Sequence, residues 1–326
     1  MAKIDFKKIP RFSELPVKKD APPESSWGVF GDDDELGCLN FLSPEGVVEA
    51  ARLVQKGKVF RLDTKINYAK PPLFSRNPAK HTIVSFERIG LLGHDDFLDS
   101  YNTQEGSQWD GLAHVGHVRH HAFYNGIKAA DIKDGPGGKL SIHRWADRFV
   151  GRGLLIDVWK YVNDQGRPLN PLKSEKYSLQ DLKDALKAQG SELKPGSILL
   201  IRTGWMQAYV RAPQEEKTKM ADPTDGLKSC GIEDTSAMVA WFWDNRVAAV
   251  GTDCPAVEPW PWNFRDESAI HYRTLSMLGL PIGEQFVLDD LAADCAADKR
   301  YEFMLVSAPM NLEGGIASPP NAVAIK

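Results

Sequence analysis

Residues 101–117 carry the densest chemistry in the chain. Side-chain amides at Gln104 and Gln108, a carboxylate at Asp110 and imidazoles at His114 and His117 stand close together, broken by Gly106, Gly111 and Gly116. Four of the eight histidines (His114, His117, His120 and His121) fall within eight residues. Amide oxygen, carboxylate and imidazole at this spacing suit a divalent metal ion or acid–base chemistry. The same residues also read as a strand-to-loop segment with solvated histidines. Two further candidates lie far along the chain: His271, and Glu284 thirteen residues later beside Gly283. An Asp, a Glu and a His from separated segments make a borderline-to-hard divalent site if the fold brings them together. Asp32, Asp33 and Asp34 lack the alternating ligands and later Glu of a calcium loop, and read as a solvated turn.

These residues need elements to hold them. Ser43-Pro44 predicts a helix through about Lys56, with Ser43 as N-cap and Pro44 in the first turn. Ser178 predicts a second helix to Gln189, with Asp181 in the capping-box position. Asp234 predicts a cap for a helix through Trp243, and residues 267–278 read as a helix that contains His271 and stops at Gly279. A last helix is expected over 288–297. Residues 59–66 and 81–86 read as strands, as do 302–307 and 321–325. The runs 153–158, 197–202 and 247–251 are apolar enough to be strands covered on both faces. The run 197–202 delivers Thr203-Gly204-Trp205 to the strand end where open α/β sheets bind ligands. The third feeds residues 252–258, a loop with two carboxylates. Residues 1–26 carry Pro10, Pro16, Pro22 and Pro23 and read as an extended arm suited to subunit contact. Residues 27–326 read as a single α/β domain, with no internal repeat and no linker.

Composition excludes several functions. Apolar residues make up 42% and charged residues 26% of the 326, the profile of a globular chain. A net charge of −4 offers no basic excess for a phosphate backbone, so nucleic acid is not an expected partner. No apolar run is long enough to span a bilayer, and the first eight residues lack a signal-peptide core, so no membrane role is expected. Cys38, Cys230, Cys254 and Cys295 are widely spaced and read as reduced thiols of a cytoplasmic protein. A G-x-S-x-G elbow and a G-x-G-x-x-G turn after a strand are both missing, which disfavours serine hydrolase and dinucleotide chemistry.

The chain from about Trp27 onward resembles the cyclase family of metal-dependent hydrolases, which includes kynurenine formamidase and isatin hydrolase. The family pattern H-x-G-T-H-x-D-x-P-x-H lies on residues 104–114. Gly106, Asp110 and His114 match, and Ser107 stands for the threonine. Gln104 and Gln108 replace two metal-binding histidines, and Leu112 replaces the proline, as in a divergent branch. His271 and Glu284 match a later metal-binding pair, and residues 200–204, 251–253 and 281–284 look like further family landmarks.

The resemblance implies a swivelling β/β/α fold, a homodimer or higher homo-oligomer, and hydrolysis of a small carbonyl substrate such as a formamide, cyclic amide or lactone. With two histidines replaced, it implies one divalent ion, manganese or zinc, rather than two. Asp110, His271 and Glu284 are its expected ligands, with Gln108 and Gln104 as weaker amide candidates. His114 is the expected general base and acid, and Gln108 or Arg202 the expected donor to a developing oxyanion. Trp109, Phe123, Tyr124, Trp205 and Trp260 are candidate pocket walls. A small-molecule binding protein without catalysis, and a metal-dependent lyase or isomerase, are the alternatives on the same scaffold.

Overall fold

Four short apolar runs form the centre of the molecule. In the computed structural model, which describes residues 4–326, Val150–Ile156, Ile198–Ile201, Ala249–Thr252 and Ile282–Glu284 lie side by side in parallel, and the last three are buried at every position. Their continuous apolar character follows from cover on both faces. Antiparallel strands extend this centre both ways. Among the described residues, the sheet runs in space Val59–Arg61, Ala322–Ile325, Glu302–Ser307, then the four parallel strands in the order given, then Gln108–Asp110 and Ala317–Ser318. Glu302–Ser307 alternates between half-buried and buried residues, the signature of a strand whose two faces differ.

The helix starts follow their caps. Ser43 Oγ accepts from Gly46 N, and the helix runs over Pro44–Ala51, shorter than expected. Ser178 and Asp181 form the expected capping box at the head of Leu179–Ala188. Thr235, not Asp234, caps Ser236–Asp244, because its hydroxyl reaches Met238 N. Short helices at Val158–Asp164, Trp205–Arg211 and Gln214–Met220 were not anticipated; each is too brief to show a periodic apolar face. The expected strand at 59–66 contracts to Val59–Arg61, and the last helix spans Asp289–Asp298.

The N-terminal segment lies on its own chain. Trp243 Nε1 donates to Pro10 O (2.9 Å), Arg246 Nη2 to Ile9 O (2.7 Å) and Phe12 N to Asp244 Oδ1 (2.8 Å). Those bonds tie residues 9–12 of the segment to the end of Ser236–Asp244 of the same chain. The first three residues of the expected arm fall outside the described residues. All four cysteines are buried and free. No described helix is long and apolar enough to cross a membrane.

Candidate metal centre

Two adjacent strands bring the distant carboxylates together. Gln108–Asp110 pairs antiparallel with Ile282–Glu284, so Gln108 stands directly opposite Glu284 and Asp110 opposite Ile282. Directly opposed residues share a face of the sheet, and so do residues two apart on one strand. Gln108, Asp110 and Glu284 therefore project to one side, and the alternate residues Trp109 and Gly283 to the other. Gly283 has no substitute there: a Cβ would lie 2.6 Å from the Trp109 indole and from the Phe286 ring. Trp109 in turn stacks on Phe149 with centroids 4.4 Å apart. The packed rear face fixes the height at which the carboxylates stand on the front.

The third segment is a helix of unusual winding. Tyr272–Leu278 is a π-helix with His271 at its start and Gly279 as its left-handed cap. Such turns recur at functional sites because the wider winding re-aims a side chain. Glu258 holds the His271 imidazole on one side: its Oε2 lies 2.7 Å from Nδ1, and its Oε1 accepts the His271 main-chain N–H (3.3 Å). Trp262 stacks on the ring at 5.6 Å and 18°. Nε2 is left facing Glu284 Oε1 at 3.3 Å and Asp110 Oδ2 at 4.0 Å.

The amides fill the remaining side. Gln108 Nε2 donates to Asp110 Oδ1 (3.0 Å) and to Glu284 Oε2 (2.8 Å). Gln104 Nε2 donates to Asp110 Oδ1 (2.8 Å) and lies 3.3 Å from His114 Nε2. Each carboxylate is thus saturated on one oxygen and bare on the other. Asp110 Oδ2 and Glu284 Oε1 are buried with no hydrogen-bond partner. Bare buried carboxylate oxygens are costly unless a cation meets them. One ligand atom each from Asp110, His114 and His271 falls within 4.8 Å of the others.

Arg76 joins the site without having been anticipated. Its Nη1 donates to Gln104 O and lies 3.4 Å from Gln108 Oε1, and its guanidinium sits over the Phe74 ring at 4.8 Å. It comes from the proline-rich loop ahead of the first exposed strand, where a lone Arg gives no local signal.

The electrostatics follow from burial. Burial pushes the Glu284 carboxyl up to about 7, with the Asp110 charge acting in the same direction. Burial alone would lower His271, but Glu258 and Glu284 outweigh it and hold the imidazole well above its ordinary value. Burial lowers His114 from its ordinary value against the pull of Asp110, so it is a neutral proton acceptor at neutral pH. The His114 side chain is 25% exposed, compared with 7% for His271 and none for Asp110.

The structure therefore brings together Gln104, Gln108, Asp110, His114, His271 and Glu284. Arg202 is the exception and requires a correction. Its Nη1 binds Asp157 at 3.0 Å, its Nη2 lies 2.7 Å from Asp289, and its guanidinium covers the Trp159 ring. A guanidinium held between two carboxylates is committed to the scaffold and not aimed at the Asp110–Glu284 site. The walls also change. Trp205 stacks in the core on Tyr209, and Tyr124 donates to Asp34 beneath the Gly279 cap. Phe123 lies against Gly116. Trp260 does reach the site's surroundings, through Phe74 and Trp262. His117 packs against His120 and against Tyr272, and the two histidines line a separate cavity with Glu24, Arg119 and Glu267.

Comparison with known proteins fits this geometry. The Cyclase family model matches residues 69–259. A solved structure described as a novel cyclase is 33% identical, covers 93% of this chain and 99% of its own, and superposes with a TM-score of 0.81. The chain belongs to the Cyclase family. Isatin hydrolase A from Labrenzia aggregata, bound to benzyl benzoate, shares the fold at 16% identity and a TM-score of 0.55, over 82% of this chain and 93% of its own. Isatin hydrolase A from Ralstonia solanacearum does so at 17% identity and 0.53, over 82% and 91%. No curated protein sequence matches the chain. The architecture is accordingly the swivelling β/β/α fold of this family.

Proposed function

We propose that this cyclase-family protein is a metal-dependent hydrolase of a small carbonyl substrate, a formamide, cyclic amide or lactone, and that it works in the cytoplasm as a homo-oligomer. Residues 27–326 act in this reading as one catalytic domain. One observation carries it: two buried carboxylate oxygens, Asp110 Oδ2 and Glu284 Oε1, lack any hydrogen bond and flank the same nitrogen, His271 Nε2. Two carboxylates and an imidazole suit a borderline-to-hard divalent ion, manganese or zinc. Asp110, His271 and Glu284 would hold it, and when bound it would supply Lewis acidity and a more acidic water.

The chain's own groups supply the rest. Gln104 and Gln108 occupy one oxygen of each carboxylate and so direct the other oxygen inward. Glu258 fixes the imidazole of His271 through Nδ1 and leaves Nε2 free as donor, a positioning role. His114 is neutral and on the open side. It takes a proton from the attacking water and returns it to the leaving nitrogen or oxygen, so that the carbonyl–heteroatom bond breaks as the new C–O bond forms. Arg76 places a positive charge beside Gln108 where negative charge develops on the carbonyl oxygen. Trp260 and Trp262 offer an aromatic wall for a flat substrate.

A second reading makes His114 a ligand, favoured by its position within 4.8 Å of the Asp110 and His271 donor atoms. Elemental analysis of protein purified without chelator, beside Asp110→Asn, tests the main proposal. About one manganese or zinc per chain, lost in the variant together with hydrolysis of formamides, cyclic amides or lactones, is expected. Metal-free protein that stays metal-free after addition of either ion overturns it.

A further inference from the structure

One part of the molecule is left without the packing that its composition requires. Lys80–Ser85 and His94–Asp99 form a two-stranded hairpin that, among the described residues, pairs with no other strand. An isolated two-stranded hairpin is marginal in water and needs a further strand or a packed face. Here each face carries two apolar side chains among polar ones, and both faces are open. The register places His81 opposite Leu98 and Ile83 opposite Asp96 on one face, and Thr82 opposite Phe97 and Val84 opposite Asp95 on the other. Ile83 is 63% and Phe97 53% exposed, and at the tip Ile89 is 78% and Leu92 88% exposed. The chain's other exposed large apolar residues are scattered, whereas these are contiguous.

We infer that this hairpin is the subunit arm, and that it docks on a second copy of the same chain. The concentration of apolar residues decides between a stray patch and an interface. Seven of the fifteen exposed large apolar residues among the described residues (Ile83, Val84, Ile89, Leu91, Leu92, Phe97 and Leu98) fall on this one hairpin, a concentration that singly scattered surface apolar residues do not show. A two-fold pair that exchanges hairpins would bury both hairpins and both surfaces that they cover, four contributions toward the roughly 1,600 Å² of a standard stable interface. Reciprocal exchange also removes the patch from water on both molecules, which a single-sided contact with another protein does not. The charges argue against a bilayer. Asp95, Asp96 and Asp99 line the outer strand, His81 pairs with Asp96 at 2.7 Å, and the only lysine in the strands, Lys80, stands opposite Asp99. That leaves no cationic face for anionic lipid.

The placement ties assembly to the site. The hairpin springs from the chain between Arg76 and Gln104, whose hydrogen bond closes its base.

The inference rests on the homo-oligomer part of the proposed function, and light scattering on the full chain at micromolar concentration separates the two. Wild type should show at least twice the 36.2 kDa chain mass. Ile89→Asp with Leu92→Asp, outside both strands, should weaken self-association at least ~100-fold, as expected when two charges are forced into an apolar interface. Val48→Asp, on an exposed helix face elsewhere, should not. A monomeric wild type overturns both the oligomer and the hairpin. An oligomer unchanged by the tip substitutions overturns the hairpin alone. Hydrogen exchange on wild type gives a readout that does not depend on the variant folding. Amides of residues 80–99 should be protected in concentrated protein and lose protection on dilution. Fast exchange at every concentration overturns the inference.

Discussion

Two buried carboxylate clusters sit at neighbouring edges of the same sheet, and they differ in one respect. At the ends of Ile198–Ile201 and Ala249–Thr252, Asp253 accepts from Thr203 N (2.6 Å), Thr203 Oγ1 (2.7 Å) and Gly204 N (2.9 Å), while Arg202 is clamped by Asp157 and Asp289. Around Ile282–Glu284, Asp110 and Glu284 each keep one buried oxygen without a hydrogen bond. The first cluster is hydrogen-bonded to backbone and side chains of its own scaffold. The second keeps two buried acceptors open, as the proposed cation site requires. Burial and charge alone do not tell a scaffold from a site; two unsatisfied carboxylate oxygens facing one imidazole nitrogen make the difference here.

Substitutions on each side should break or sharpen that contrast. The largest effect is expected at His114. His114→Ala should lower turnover by ~10²–10⁴-fold while the protein keeps its metal, as loss of a general base does. Metal content measured beside kcat decides the matter, because loss of the ion would make His114 a ligand. Next comes the scaffold side. Arg202→Ala leaves the buried Asp157 without its cation and should cost about 3 kcal/mol of stability in urea titrations. Metal content of the folded variant should not change; a loss of metal would erase the distinction between the clusters. Glu258→Gln should weaken metal affinity by ~10–100-fold, because the imidazole loses the charge that orients it, and Glu258→Asp should restore part of it. Equal affinity in wild type and Glu258→Gln would leave Glu258 no positioning role.

The two clusters were not equally legible in the sequence. Asp110, His271 and Glu284 were legible as candidates through the family resemblance, and the structure places them side by side. Arg202 was expected as an oxyanion donor from the family resemblance, and the strand before it was expected to end where open α/β sheets gather ligands, a sound rule. The rule locates an edge, but only tertiary contacts show that Asp157 and Asp289 already occupy this guanidinium. Glu258 was visible only as one of two carboxylates in a loop, since nothing local says which of them faces His271. Arg76 and Trp262 left no signal, for an Arg in a proline-rich loop and a Trp beside another Trp read as surface and core. The capping box at Ser178 and Asp181 was legible because it is local. The short strand Gln108–Asp110 was not, because three residues carry no period. The hairpin was half visible: residues 81–86 read as a strand, whereas His94–Asp99, with Asp95 and Asp96 in sequence, does not alternate.

The smallest effect tests the scaffold cluster through its proton. Burial raises Asp253 from 3.8 to about 6, even though the Thr203 hydrogen bonds act to lower it. A carboxyl whose folded value lies above its unfolded value binds its proton more tightly in the native state. Its contribution to stability is therefore fully present below about 4 and is lost as pH rises through about 6, at no more than ~1.4 kcal/mol per pH unit. Wild type compared with Asp253→Asn by urea denaturation across that window isolates the slope, since the remaining titrating groups are common to both. Relative to the variant, wild type should lose stability as pH rises. The opposite slope would mean that three hydrogen bonds to the ionised form outweigh its burial. Asp253 would then be held as a charge, as the two bare carboxylates of the metal centre are expected to be once an ion is bound.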